Sequence, residues 1–482
     1  MKNIFLLKGI LPILICLISI PAFSKIVLPE IFSENMVLQQ QTEAPVWGKA
    51  SPNNNVKIIT SWNKQTYTTR SATDGKWMIK VKTPTAGGPY SISISDGEEL
   101  TLKNILIGEV WICSGQSNME MPLTGQWGNV INHEHEITSA NYPNIRLLHI
   151  KKTTSVKPET DVQTESNGWQ VCSPETILKF SSVGYFFGRE LFTNLNIPIG
   201  LINTSWGGTI AEAWTSSESL ELMPDFRDAV QVIKNEDSAA PQNLNNPNRT
   251  TVLYNAMINP LIPFAFQGVI WYQGESNRNK SYQYRDLFPL LIHDWRKQWN
   301  RDFPFYFVQI ANYLKRENEP QESPWAELRE AQLMALSMKN TGMAVTIDIG
   351  EADDIHPKNK QDVGKRLAYI AQAKTYNLPV LFSGPIYENY IIEGNKIRIK
   401  FRHAEKGLKA KDEKALTGFA IAGPDHKFVW ATAIIDGNDV VVSSPDIEFP
   451  VSVRYGWANN PDCNLYNDAN LPASPFRTDD WR

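Results

Sequence analysis

The alternation of hydrophobic and polar positions changes character twice along the chain. Through residues 25–104 the apolar positions recur every second residue in short segments, at 56–59, 77–81 and 90–94. Turn-rich runs at 51–55, 74–75 and 87–89 separate them. Short alternating segments punctuated in this way predict a small antiparallel sandwich. From 105 to 380 the apolar runs become continuous: 105–107 with 110–113, then 145–150, 199–203, 268–272, 305–310 and 343–347. Helical spacing appears between them, at 183–191, at 325–332 directly after Pro324, and at 360–374, where Val363, Leu367, Ile370 and Ala371 share one face. A run without alternation suits a strand covered on both sides. Repeated strand-then-helix order therefore predicts an α/β domain with a parallel sheet between two layers of helices. After about 381 the pattern returns to β segments at 397–401, 418–422, 440–442 and 451–455, with a hairpin-like turn at Asp436-Gly437-Asn438. The expected organisation is an N-terminal β domain (25–104), an α/β domain (105–380) and a C-terminal β-rich domain (381–482). The polar stretch 235–250 reads as a surface loop.

Three of the predicted strands end in small polar residues: Gly115-Gln116-Ser117-Asn118, Trp206-Gly207-Gly208-Thr209 and Gln273-Gly274-Glu275-Ser276-Asn277. A parallel sheet gathers its carboxyl ends at one edge, where ligands bind. Gly115 permits a sharp turn that exposes the Ser117 hydroxyl, although Ser117 could equally cap a helix. A fourth segment, 348–357, follows the strand at 343–347 and sets Asp353 and Asp354 three and two residues before His356. Serine acyl transfer needs a nucleophile, a base, a group that orients the base, and donors for an oxyanion. These four segments hold candidates for each.

The ordered set of motifs resembles the SGNH hydrolases, and more closely the sialate O-acetylesterase-like carbohydrate esterases. It comprises Gly108-Glu109-Val110-Trp111, Ser114-Gly115-Gln116-Ser117-Asn118-Met119-Glu120, Ser205-Trp206-Gly207-Gly208, 268–275, Leu328-Arg329-Glu330-Ala331-Gln332, Asp354-Ile355-His356-Pro357 and Val453-Arg454-Tyr455-Gly456-Trp457. The resemblance implies an SGNH-type α/β fold flanked by β-sandwich-like segments. It implies Ser117 as nucleophile and His356 as base and later acid. It places the Ser117 N–H and that of Gly207 or Gly208 at the oxyanion. The family's third donor is an Asn amide, and here Gln273 stands first for it and Asn277 second. Asp353 has the general SGNH spacing for the orienting acid, with Asp354 as the alternative and Glu275 on a neighbouring strand end as an outside candidate; the other role open to Glu275 is tying down its loop. Arg329 could hold the carboxylate of a sialic acid or form a structural salt bridge, and Glu275 is the second residue expected to bind substrate. The implied activity is removal of O-acetyl groups from a sugar or glycan, 9-O-acetyl sialic acid first and acetylated xylan as the alternative. A carbohydrate-binding protein on the same fold would have lost Ser117 or His356, and both are present. A lipase or thioesterase would need an apolar acyl groove, which the polar, Trp-rich loops argue against.

Composition narrows the picture further. The chain has 482 residues, a net charge of -4 and no basic stripe, which excludes nucleic acid as a partner. Residues 1–24 read as an export signal: Lys2 and Lys8 precede an apolar run at 10–20, and Ala22-Phe23-Ser24 suits cleavage after Ser24. A lipoprotein signal at Cys16 is the rival, disfavoured by Ile15 before it. The expected location is periplasmic or extracellular, without membrane insertion after cleavage. Of the four Cys, cleavage would leave Cys113, Cys172 and Cys463, too few for a disulfide framework, with Cys172 and Cys463 either bridged or free. His133 and His135 flank Glu134 but lack a third strong ligand, so neither metal nor cofactor is expected.

Overall fold

The structure, a computed structural model, describes residues 26–237, 242–243 and 245–481. The expected export signal, with Cys16, lies outside them. A single strand, Glu99–Gly115, organises the molecule. Its first half pairs antiparallel with Gly87–Ser95 and parallel with Val37–Gln39, inside the N-terminal β region. Its second half pairs parallel with Ile199–Ser205 on one side and Gly268–Tyr272 on the other. The expected boundary between 104 and 105 therefore runs through the middle of a strand. A bulge marks the place: the register against Gly87–Ser95 shifts between Tyr90 and Ile92, and Asn104 takes a positive φ.

 That is left-handed backbone, 55° at Asn104 against 66° at the neighbouring Asn35, and asparagine tolerates it better than other side chains do. The extra residue bends the strand as it passes from one sheet into the other.

Across the central sheet the order is Thr341–Ala344, Phe305–Val308, Gly268–Tyr272, Glu99–Gly115, Ile199–Ser205, Tyr142–His149 and Gln170–Cys172. Every neighbouring pair is parallel except the last. The chain builds one side of Glu99–Gly115 first and then crosses to the other. The carboxyl end of this strand thus lies where the strand order reverses, the position at which open α/β sheets bind ligands.

The continuous apolar runs have the predicted cause. Val110 and Ile112 face one core with Val269, Trp271, Phe305 and Phe307, under the helices Ser281–Gln298 and Pro324–Met334. Trp111 and Cys113 face the other, with Ile199, Leu201, Ile270 and Tyr306, under Ser182–Leu195 and Lys360–Lys374. Ser181, Ser323 and Asn359 cap three of these helices by accepting backbone N–H groups. The helix Ser281–Gln298 is additional to those the pattern predicts. It contains Pro289, which removes a helical hydrogen bond, yet Tyr284, Leu287, Phe288, Leu291, Ile292 and Trp295 are all buried along it. The run expected as a strand at 343–347 pairs only over Thr341–Ala344. Beyond it the chain leaves the sheet, and the Val345 carbonyl accepts from Arg366 Nη1 at 2.6 Å instead of from a strand.

The C-terminal region forms two further four-stranded sheets around a separate core that includes Ile397, Ile399, Ile421, Val440 and Val453. Cys172 and Cys463 are free thiols and no bridge joins them. Burial pushes each thiol up to about 12, which keeps both unreactive at neutral pH. No helix among the described residues is long and apolar enough to cross a membrane.

Candidate active site

Gly115 closes the central strand at a φ of 137°, and a Cβ there would sit 2.1 Å from the Tyr272 carbonyl oxygen. Only glycine fits this approach of two strand ends. The next residue, Gln116, donates its N–H to Tyr272 O at 2.9 Å, and a one-turn helix, Ser117–Glu120, begins immediately. Ser117 is 7% exposed. Its N–H opens the helix and so has no intrahelical acceptor.

The loop after Thr341–Ala344 brings His356 to this serine. His356 Nε2 lies 2.9 Å from Ser117 Oγ. The residue at its other ring nitrogen is Asp354, with Oδ1 3.5 Å from Nδ1, and this corrects the preference for Asp353. The reason is local: Asp354 Oδ1 also accepts the His356 backbone N–H at 2.8 Å, and that two-residue turn folds the carboxylate back toward the ring. Asp353 is exposed on the same turn. Lys358 donates to Asp354 Oδ2 at 2.5 Å and to the Trp127 carbonyl at 2.6 Å. Burial opposes the Asp354 charge, but Lys358 and the His356 N–H outweigh it and hold the carboxyl below its ordinary range. Trp127 stacks on the imidazole at 5.5 Å.

The other expected site residues separate into three groups. Gly207 does reach the serine, but its N–H donates to Glu120 Oε2 at 2.5 Å, and Lys152 holds the other oxygen of Glu120 at 2.7 Å. Gly208, at a φ of 75°, is exposed and has open space around it. Gln273 and Asn277 are corrected as oxyanion donors. Gln273 Nε2 donates to Thr209 O and to Asn277 Oδ1, while Asn277 Nδ2 donates to Glu212. Both amides are buried parts of the scaffold.

Arg329 and Glu275 are corrected as substrate ligands. Arg329 is 0% exposed and donates to the carbonyls of Ile310, Ala311, Ala458 and Asn459, so it fastens the C-terminal region to the α/β domain. Among the described residues no acidic side chain pairs with it, and its full burial leaves no face open to a substrate. Arg329→Met strands four carbonyls, and unfolding by denaturant is expected to show a loss of roughly 3–5 kcal/mol. Glu275 is buried and accepts from Asn118 Nδ2 at 2.6 Å. Among the described residues no group of three or more His, Cys, Asp or Glu could hold a metal ion. Sequence reasoning assigned no part to Glu120, Trp127, Lys152, Lys358 or Lys360. Of these, Glu120 closes the Ser114–Glu120 motif, and Lys358 carried a local signal, four residues after Asp354.

A serine in hydrogen-bond contact with a histidine, at the carboxyl edge of a helix-covered parallel sheet, is the arrangement of an α/β serine hydrolase, here of the SGNH type. The comparisons with known proteins agree. The family model "Carbohydrate esterase, sialic acid-specific acetylesterase" matches residues 107–373. The human sialate O-acetylesterase is 30% identical over 92% of this chain and 91% of its own. The mouse sialate O-acetylesterase is 29% identical, with 92% of each chain covered. The crystal structure of a carbohydrate acetylesterase from Xanthomonas citri superposes with a TM-score of 0.86 at 37% identity, covering 95% of this chain and all of the other. The chain belongs to the sialic acid-specific acetylesterase family of carbohydrate esterases, and it is a carboxylic ester hydrolase.

Proposed function

We propose that this enzyme removes O-acetyl groups from glycans, with O-acetylated sialic acid as the first substrate, through an acetyl-Ser117 intermediate. The 2.9 Å contact between Ser117 Oγ and His356 Nε2 carries the reading. Ser117 Oγ attacks the acetyl carbonyl carbon while its proton passes to His356 Nε2. The oxyanion takes hydrogen bonds from the Ser117 N–H and from Gly208, because the Gly207 N–H is committed to Glu120. The C–O bond to the sugar then breaks, and the departing alkoxide takes the proton from His356. Water, deprotonated by the same nitrogen, attacks the acetyl carbon; the bond to Ser117 Oγ breaks, Oγ takes the proton back from His356, and acetate is released. Asp354 orients the ring and stabilises its cation. Trp127 and Trp206 are half-buried at the site, and aromatic faces suit sugar rings. The basic, apolar N-terminal signal supports export to the periplasm or beyond.

The test is acetate release from O-acetylated sialic acid and from acetylated xylan oligosaccharides, side by side. Release from sialic acid alone supports the proposal. Release from xylan alone moves the substrate to plant polysaccharides, and release from neither, nor from an aryl acetate, rejects esterase chemistry at this site. The same assay checks a pH expectation. Burial lowers the His356 pKa below its usual 6.5, and the Lys360 charge lowers it further. The base must be neutral to act, so the acid limb of kcat/KM is expected below pH 6.5.

A further inference from the structure

Two charged groups beside the Ser117–His356 contact have no part in the acyl transfer. Glu275 is 3% exposed and Lys360 is 0% exposed, and one amide lies between them. Lys360 Nζ donates to Asn118 Oδ1 at 2.5 Å. Asn118 Nδ2 donates to Glu275 Oε1 at 2.6 Å and to the Ile355 carbonyl at 3.0 Å. Asn118 follows Ser117 in the chain and Ile355 precedes His356. One side chain therefore ties the residue after the nucleophile to the residue before the base.

An amide can sit either way round, but an ammonium only donates and a carboxylate only accepts. With Lys360 on one side and Glu275 on the other, a single orientation satisfies both, and it aims Nδ2 at Ile355. Turned over, the amide oxygen would face two acceptors and its NH2 would face the ammonium. We propose that Lys360 and Glu275 are positioning residues whose opposite polarities fix the Asn118 amide, and that the fixed amide sets the approach of His356 to Ser117. The inference rests on the reading of Ser117 and His356 as nucleophile and base.

The energetics favour a role other than stability. Glu275 Oε2 is buried without a hydrogen-bond partner. Burial raises the Glu275 pKa and, with the Lys358 charge, lowers that of Lys360 to about 7, against the opposing charges of Glu275, Asp354 and Glu351. A buried pair of this kind is often less stabilising than apolar packing of the same volume.

The experiment is a double-mutant cycle of Lys360→Met and Glu275→Gln, read by thermal melting and by kcat and KM on an aryl acetate, with Ser117→Ala as control. Each single variant keeps one polar constraint on the amide but leaves an unpaired buried charge, so each melts lower. The double variant is neutral and recovers melting temperature. It has lost both constraints, so its kcat is expected at least about tenfold below either single with KM unchanged. Charge pairing alone predicts the reverse, and a double variant with kcat equal to or above the singles overturns the proposal. Should the double variant fail to fold, Asn118→Ala decides: a fall in kcat of about 100-fold at constant KM supports the proposal, and near-normal kcat overturns it. An inactive Ser117→Ala beside an unimpaired double variant rejects the positioning role alone; an active Ser117→Ala rejects the nucleophile assignment beneath it.

Discussion

Ser117→Ala is expected to lower kcat for acetate release by about 10⁵–10⁶-fold and to leave the fold intact. The substitution removes the one atom that forms the covalent bond to the acetyl group. It also leaves His356 with no hydroxyl to deprotonate, so the donors at the oxyanion act on a reaction that has no nucleophile. What survives is binding and polarisation of the carbonyl, which accelerates attack by bulk water only weakly. Stability changes little because the Ser117 hydroxyl meets His356 and no core group depends on it. Circular dichroism and melting of the variant should match the parent. A variant that keeps substantial activity would assign the nucleophile elsewhere.

Asp354→Asn should cost about 10²–10⁴-fold in kcat, while Asp353→Asn should leave it almost unchanged. The carboxylate of Asp354 faces Nδ1 of His356 at 3.5 Å and shares Oδ1 with the backbone N–H of the same residue. An amide there can present its NH2 to the ring, favouring the wrong tautomer, and no longer stabilises the imidazolium that forms during attack. It also loosens Lys358, which holds the carboxylate and the Trp127 carbonyl together. Asp353 makes no such contact and points to solvent on the turn. Paired kinetics of the two variants separates them, and a large effect at Asp353 with none at Asp354 would mean that the loop rearranges when substrate binds.

The amino-acid sequence alone determined the sheet, the candidate nucleophile and the candidate base. A parallel sheet covered on both faces must be apolar at successive positions, as Val110 to Cys113 are, so its strands stand out in the chain. Their carboxyl ends then converge, which is why Ser117 and the Gly207-Gly208 pair could be drawn from segments far apart, while the family resemblance supplied their roles and that of His356. Tertiary structure alone decided how the polar groups pair. Whether Asp353 or Asp354 serves His356 depends on a two-residue turn. Glu120 takes the N–H of a glycine 87 residues away, and Arg329 gathers carbonyls up to 130 residues away. Gln273, so placed that it could have faced the substrate, is held by Thr209, Asn277 and Tyr284. Burial of an apolar side chain requires only a hydrophobic neighbourhood, which periodicity records. A hydrogen bond requires one particular partner at about 3 Å, and no local pattern in the chain specifies which distant residue that will be.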